Sequence, residues 1–248
     1  MKNIRIYVIF ILSASIIAGT CTNVLAEEIV EQQQNEVGIG KVEGNVNEDI
    51  YQVILPTITD KTFDFIMDPQ GLINKTNGAA YKGKTFEKEA TLFFRRKEEG
   101  VKDDYSNMSD AVTITNMSSK EIKVSLNISI LESSLKGIIL TDDKEFIGDT
   151  CASLYMAYTD GQKEVPIGKE GISCEMIVDA APEEAYEYSY DNKSNEYSYG
   201  LKDNVTDINF PIYSFRLIGA TNGKGDWSQL TEVVPKVDVA WQISAVKE

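Results

Sequence analysis

Between Glu121 and Leu131 the chain reads EIKVSLNISIL, and its large apolar residues fall at every second position. Ile122, Val124, Leu126, Ile128 and Ile130 point one way while Lys123, Ser125, Asn127 and Ser129 point the other. Only a strand with one buried face has this period, since a helix would scatter those residues around its circumference. The pattern returns in KVDVAWQISAV, which sets Val237, Val239, Trp241, Ile243 and Ala245 on the buried side. Strands of this kind need a second layer to cover their apolar face.

Further strand candidates are residues 51–55, 62–67, 90–95, 111–115, 137–140, 152–158, 164–167, 172–178, 186–190, 196–201 and 212–218, separated by turn clusters such as NMSSKE, TDGQKE and DNKSNE. No window reads as a convincing amphipathic helix; residues 69–75 and 182–185 have room for one turn each. The predicted fold class is therefore all-β, an antiparallel β-sandwich or jelly roll of about a dozen strands. Residues 49–248 are a suitable length for one such domain. Residues 27–48 are rich in Gln, Glu, Gly and Asn and read as a flexible arm.

The first 26 residues hold Lys2 and Arg5, an uncharged apolar run from Ile6 to about Ala18, and a small-residue stretch ending in Val24-Leu25-Ala26. That order is the order of a secretory signal peptide, 1–26, cleaved after Ala26. Beyond it no run is long and apolar enough to span a bilayer, so no membrane span is expected after cleavage. The expected location is outside the cell, in association with its surface.

The chain carries 39 acidic and 24 basic residues, a net charge of −15. Loss of Lys2 and Arg5 with the signal leaves 39 against 22 and a charge of −17. Such a surface repels phosphate backbones, so nucleic acid is not an expected partner. Histidine is absent, which removes Ser-His-Asp and Cys-His catalysis and the commonest zinc ligand. A pair of carboxylates acting as a glycosidase is the enzyme reading that survives. The acidic turns TDDKEFIGD (141–149) and KDNVTDIN (202–209) offer oxygens to calcium but lack the spacing of a calcium loop, and ordinary turn chemistry is the default reading. No metal or cofactor is therefore assigned. Cys151 and Cys174 remain after cleavage; in an oxidising compartment an even count predicts a disulfide between them, the alternative being two unpaired buried thiols.

The candidate binding residues lie in YEYSYDNKSNEYSYG, where Tyr186, Tyr188 and Tyr190 share one face of a strand and Tyr197 and Tyr199 one face of the next. Tyrosine favours strands, and cross-strand ring pairs stabilise a hairpin. Five buried hydroxyls would each need a partner, so the pattern predicts a partly exposed ribbon with rings along its surface. Such rings either only hold the hairpin together or also stack on sugars. Trp227, in the glycine-rich loop GATNGKGDWSQL, is either a plug over the end of the sandwich or a further ligand contact.

The closing segment KVDVAWQISAV resembles the last strand of the Gram-positive cell-wall-binding domains named for a Trp-x-Leu motif, with Trp241 at the tryptophan position and Ile243 in place of leucine. The segment DAVTITNMSSKEIKVSLNI is similar in style to strand-turn-strand units of secreted Gram-positive β-sandwiches, including biofilm-fibre subunits. These resemblances imply a non-catalytic protein of a Gram-positive surface or matrix, binding cell-wall polysaccharide or another surface protein. A structural subunit that self-assembles by lending its N-terminal arm to a neighbour's sheet is the alternative, and Val37, Ile39, Lys41 and Glu43 would lie on one side of the lent strand. Intact mass spectrometry of the exported protein is expected to give a chain beginning at Glu27; an exported species retaining Met1 to Ala26 would contradict cleavage.

Overall fold

The computed structural model describes residues 49–56, 62–97, 104–228, 230, 233 and 235–246. The predicted signal segment and the arm, with its Val37, Ile39, Lys41 and Glu43, lie outside the described residues. In chain order the strands are β1 (Val53–Ile54), β2 (Phe65–Met67), β3 (Leu92–Arg95), β4 (Tyr105–Ser106), β5 (Val112–Asn116), β6 (Ile122–Ile130), β7 (Ile139–Thr141), β8 (Ser153–Thr159), β9 (Glu164–Pro166), β10 (Ile172–Val178), β11 (Tyr186–Asp191), β12 (Glu196–Leu201), β13 (Ile212–Thr221) and β14 (Val237–Ala245). Among the described residues, helix is confined to α1 (Leu72–Lys75), α2 (Glu132–Leu135) and a 3-10 turn at Glu183–Ala185. The protein is all-β, as the alternation requires.

Two sheets face each other. One runs β1-β5-β13-β8-β7, with β9 also on β8, and the other runs β10-β6-β14. The alternating residues of β6 are all buried and meet Val112 and Ile114 of β5, Leu154, Met156 and Tyr158 of β8, and Phe215 and Leu217 of β13 in one core. A small sheet β2-β3-β4, whose β3 approaches β13, adds Leu92 and Phe94 to the same core. Its close approach depends on Gly219, where any Cβ would stand 2.9 Å from Leu92 Cδ1. Within the apolar layer Tyr158 and Tyr213 share a hydroxyl–hydroxyl bond of 2.9 Å, and Tyr158 also donates to Asp160 at 3.1 Å. Burial pushes the Tyr213 hydroxyl up to about 12.

Three expectations need correction. Ala245 closes β14 exposed, because the strand's last residue runs past the end of the core. The short β4 and α2 were not expected; two to four residues are too few to show a period. The disulfide does not form, and both cysteines are free. Cys151 precedes β8, whose Leu154 pairs with Thr221 at the far end of β13. Cys174 belongs to the opposite sheet, opposite Leu126, and its thiol acts on Tyr213 near the start of β13. Tyr213 and Thr221 are eight positions apart in one strand, about 26 Å, against the ~7 Å that a bridge tolerates between Cα atoms.

The turn Asn116–Ser119 between β5 and β6 ties distant segments together. Asn116 is fully buried; its Nδ2 donates to the carbonyls of Lys120 (3.0 Å), Val178 (3.3 Å) and Asp179 (2.7 Å), and its Oδ1 accepts the Ser118 N–H (2.9 Å). Ser118 Oγ accepts the Gln52 N–H and donates back to the Gln52 carbonyl, both at 3.0 Å. Ser119 Oγ accepts the Ile50 N–H at 2.8 Å. The Ser118 carbonyl accepts the Ala181 N–H, and the Asn116 N–H donates to Pro211. Replacing Asn116 with Ala strips partners from buried carbonyls at once. We expect Asn116→Ala to lower stability in urea unfolding by about 2–4 kcal/mol; a loss below about 0.5 kcal/mol would show that the turn does not hold these segments.

Candidate functional site

Where β10 ends, the chain leaves the sandwich. Ala181 is pinned to Ser118, the 3-10 turn Glu183–Ala185 reverses direction, and β11 starts at Tyr186. Among the described residues β11 pairs only with β12, so the two form a separate ribbon. Its register sets Tyr186 opposite Leu201, Tyr188 opposite Tyr199 and Tyr190 opposite Tyr197. Directly opposed residues share a face, so five tyrosines and Leu201 line one side. The other side carries Glu187, Ser189, Asp191, Glu196 and Ser198, all exposed.

The tyrosine side grades from core to solvent. Tyr186 is buried with Ala181 and Ala185, against Ile50, Leu201, Ile208 and Phe210, and its hydroxyl donates to the Met117 carbonyl at 2.8 Å. Burial pushes that hydroxyl up to about 12. Tyr199 is half-buried, with ring centroids 5.6 Å from Tyr186 and 4.7 Å from Tyr188. Desolvation, then Tyr188 and the Glu183 carboxylate, raise its pKa. Tyr190 and Tyr197 pair at 4.7 Å nearer the tip. Tyr188, Tyr190 and Tyr197 keep 68%, 41% and 64% of their surface in water, which makes the outer ladder accessible.

The tip is built by turn chemistry. Asp191 Oδ1 accepts the Lys193 N–H at 2.8 Å, and the Asp191 carbonyl accepts the Asn195 N–H. Asn195 adopts φ 60°, a left-handed conformation that asparagine tolerates. Tyr190 closes the turn by donating its hydroxyl to Asn195 Oδ1. Behind the rings, Ser189 and Ser198 bond across the strands at 2.6 Å.

Trp227 does not join this ladder. It is half-buried against the main core, and its Nε1 donates to the Asn222 carbonyl at 2.8 Å. Trp241 likewise lies half-buried against that core, opposite Leu126. The acidic turns serve their own backbone: the Asp143 carboxylate accepts the N–H groups of Glu145 and Ile147, and Asn204 caps Thr206. Among the described residues, no group of three or more Cys, Asp or Glu side chains is placed to hold a metal ion. Two members of the site escape sequence reasoning. Met117, which anchors the ladder through its carbonyl, carries no signal because any residue has that group. Glu183 was visible as an acidic neighbour of the comb, but only the fold brings it to Tyr199.

Fold and site together define a class, a β-sandwich that is antiparallel except where β7 joins β8 in parallel, bearing a tyrosine-faced ribbon. No family model, curated protein or solved structure matches the chain.

Because Tyr186 holds its proton above the ~10 expected unfolded, the folded root loses stability as pH rises. Its contribution is whole below pH ~10 and is lost as pH rises through about 12. Hydrogen exchange of the β11 and β12 amides should therefore speed up over that interval. Tyr186→Phe should lower ribbon protection by about 1 kcal/mol at neutral pH and reduce this alkaline dependence; an unchanged pH profile in the variant would place the titration elsewhere.

Proposed function

We propose that this chain is a secreted, non-catalytic protein of a Gram-positive surface or extracellular matrix, working by binding wall polysaccharide or another surface protein through the β11–β12 ribbon. The exposed rings of Tyr188, Tyr190 and Tyr197, with half-buried Tyr199 packed against Tyr188, carry the reading. Ribbons of aromatic residues outside a core expose apolar area that only a partner would cover. The ladder's root is fixed to the sandwich through Tyr186 and Met117, so the face is presented in one orientation.

The carboxylates support a non-catalytic role. A glycosidase acid needs a raised pKa, whereas the four carboxyls among the described residues whose environment moves them clearly are all lowered. Asp149 is lowered by Ser153 and the Cys151 N–H, Glu175 by Lys123, and Asp226 by Ser228. Burial pushes Asp160 up, but the backbone N–H groups of Lys163 and Gln162 outweigh it.

A second reading rests on the sheet edges. Among the described residues, β10 and β14 each pair on one side only, with β6 between them. An open edge accepts a lent strand, so assembly through the arm remains the alternative.

Co-sedimentation of the full chain with purified cell walls and with isolated surface proteins, beside electron microscopy of the secreted material, separates the two. Binding predicts retention that falls at least tenfold in the Tyr188→Ser, Tyr197→Ser double variant. Fibres, with no retention in either fraction, would replace binding by assembly.

A further inference from the structure

We propose that the partner of the tyrosine face is an arginine-bearing, basic segment of another protein, bound in extended form along β11–β12; this rests on the binding reading above and names its ligand class. The first observation is charge. Residues 179–210, the ribbon and its flanks, hold eight carboxylates (Asp179, Glu183, Glu184, Glu187, Asp191, Glu196, Asp203 and Asp207) against Lys193 and Lys202. Their net charge of −6 is a large share of the whole chain's −15. The described residues thus put the aromatic face in an anionic field.

That field sorts the candidates. A second copy docking ladder to ladder would bring −6 against −6, and an anionic polymer would be repelled likewise. A neutral sugar can stack on the rings, but Glu187, Asp191 and Glu196 lie on the back of the ribbon. There they are beyond hydrogen-bond reach of anything resting on the tyrosine side. Charge acts through a two-stranded ribbon within a screening length of about 8 Å, so those carboxylates still attract a cation on the far side. Glu183 adds a carboxylate near the rings themselves, as its effect on Tyr199 shows. A cation gains from both faces of the ribbon, and a neutral ligand from one.

Geometry then favours arginine and an extended partner. The guanidinium is planar and stacks on aromatic rings, which a lysine ammonium does not do. The ring pairs Tyr188–Tyr199 and Tyr190–Tyr197 follow each other two residues along the strand, about 6.6 Å. Side chains on one side of an extended peptide recur at the same interval, so alternate arginines of an Arg-x-Arg run match successive ring pairs.

The test titrates the full chain with the labelled peptide Arg-Ser-Arg-Ser-Arg-Ser-Arg, its lysine counterpart, its glutamate counterpart and a β-1,4-linked N-acetylglucosamine hexamer, followed by fluorescence anisotropy at two salt concentrations. The arginine peptide should bind several-fold tighter than the lysine one, and the glutamate peptide should not bind. Tyr188→Ser with Tyr197→Ser should weaken the arginine peptide about tenfold and erase its advantage over lysine. Glu187→Gln with Glu196→Gln should keep that advantage but flatten the salt dependence. Circular dichroism and protection of Tyr186 would confirm that both variants stay folded. Equal arginine and lysine affinities, unaffected by the ring variant, would overturn the proposal as mere charge attraction. Saturable binding of the sugar with the arginine peptide silent would overturn it while leaving the ribbon as a glycan-binding face. Silence of both probes, together with undiminished wall retention by the ring variant, would overturn the inference and the ribbon's binding role alike.

Discussion

The end of β10, the incoming residues 50–52 and the root of the ribbon are all tied to one turn, which the buried amide of Asn116 holds in place. A side-chain amide has two donor hydrogens, and here they face three backbone carbonyls, one before β6 and two at the end of β10. Because its oxygen also holds Ser118, the turn cannot move without releasing β10. The neighbouring backbone extends the clamp: Ser118 and Ser119 hold the incoming residues 50–52, and Met117 receives the Tyr186 hydroxyl. A polar network this enclosed is useful only when fully satisfied, and no buried side-chain polar atom is left without a partner among the described residues. The candidate site inherits its place from this turn.

The ribbon and the sandwich divide their labour along that clamp. In the sandwich, tyrosines serve packing: Tyr158 and Tyr213 bond to each other between the sheets. In the ribbon the same residue type keeps only its root inside, because two strands alone cannot cover both of their faces. Ring-on-ring pairing and the Ser189–Ser198 bond then hold the outer ladder together across the two strands.

Much of this was legible in the residues, and the limits have physical causes. β6 and β10 run as their patterns indicate because one inward face imposes a period of two over seven or more residues. β1 shrinks from its expected extent to Val53–Ile54, the two residues that pair with β5. The ribbon's rings were readable from alternation, and their exposure from the count of hydroxyls needing partners. The clamp was not, since Asn116 looks like any turn asparagine until residues 178 and 179 arrive beside it. The cysteines misled for the same reason: their spacing suits a loop within one sheet, whereas the chain between them crosses from one sheet to the other.

The order of strands also bears on how the chain is made. β6 is the middle strand of its sheet, yet its pairing with β14 joins Ile130 to Val237 and Ile122 to Ala245. During synthesis the apolar ladder of β6 is finished long before that flank exists. Until β14 arrives, one full edge of a nine-residue strand stands open, with Val124, Leu126 and Ile128 beside it. An exposed edge of this composition is a template for unwanted pairing between chains. A chain without β14 would therefore be left as a sticky, half-closed sandwich, which makes the pairing of β14 with β6 the step that removes this aggregation hazard.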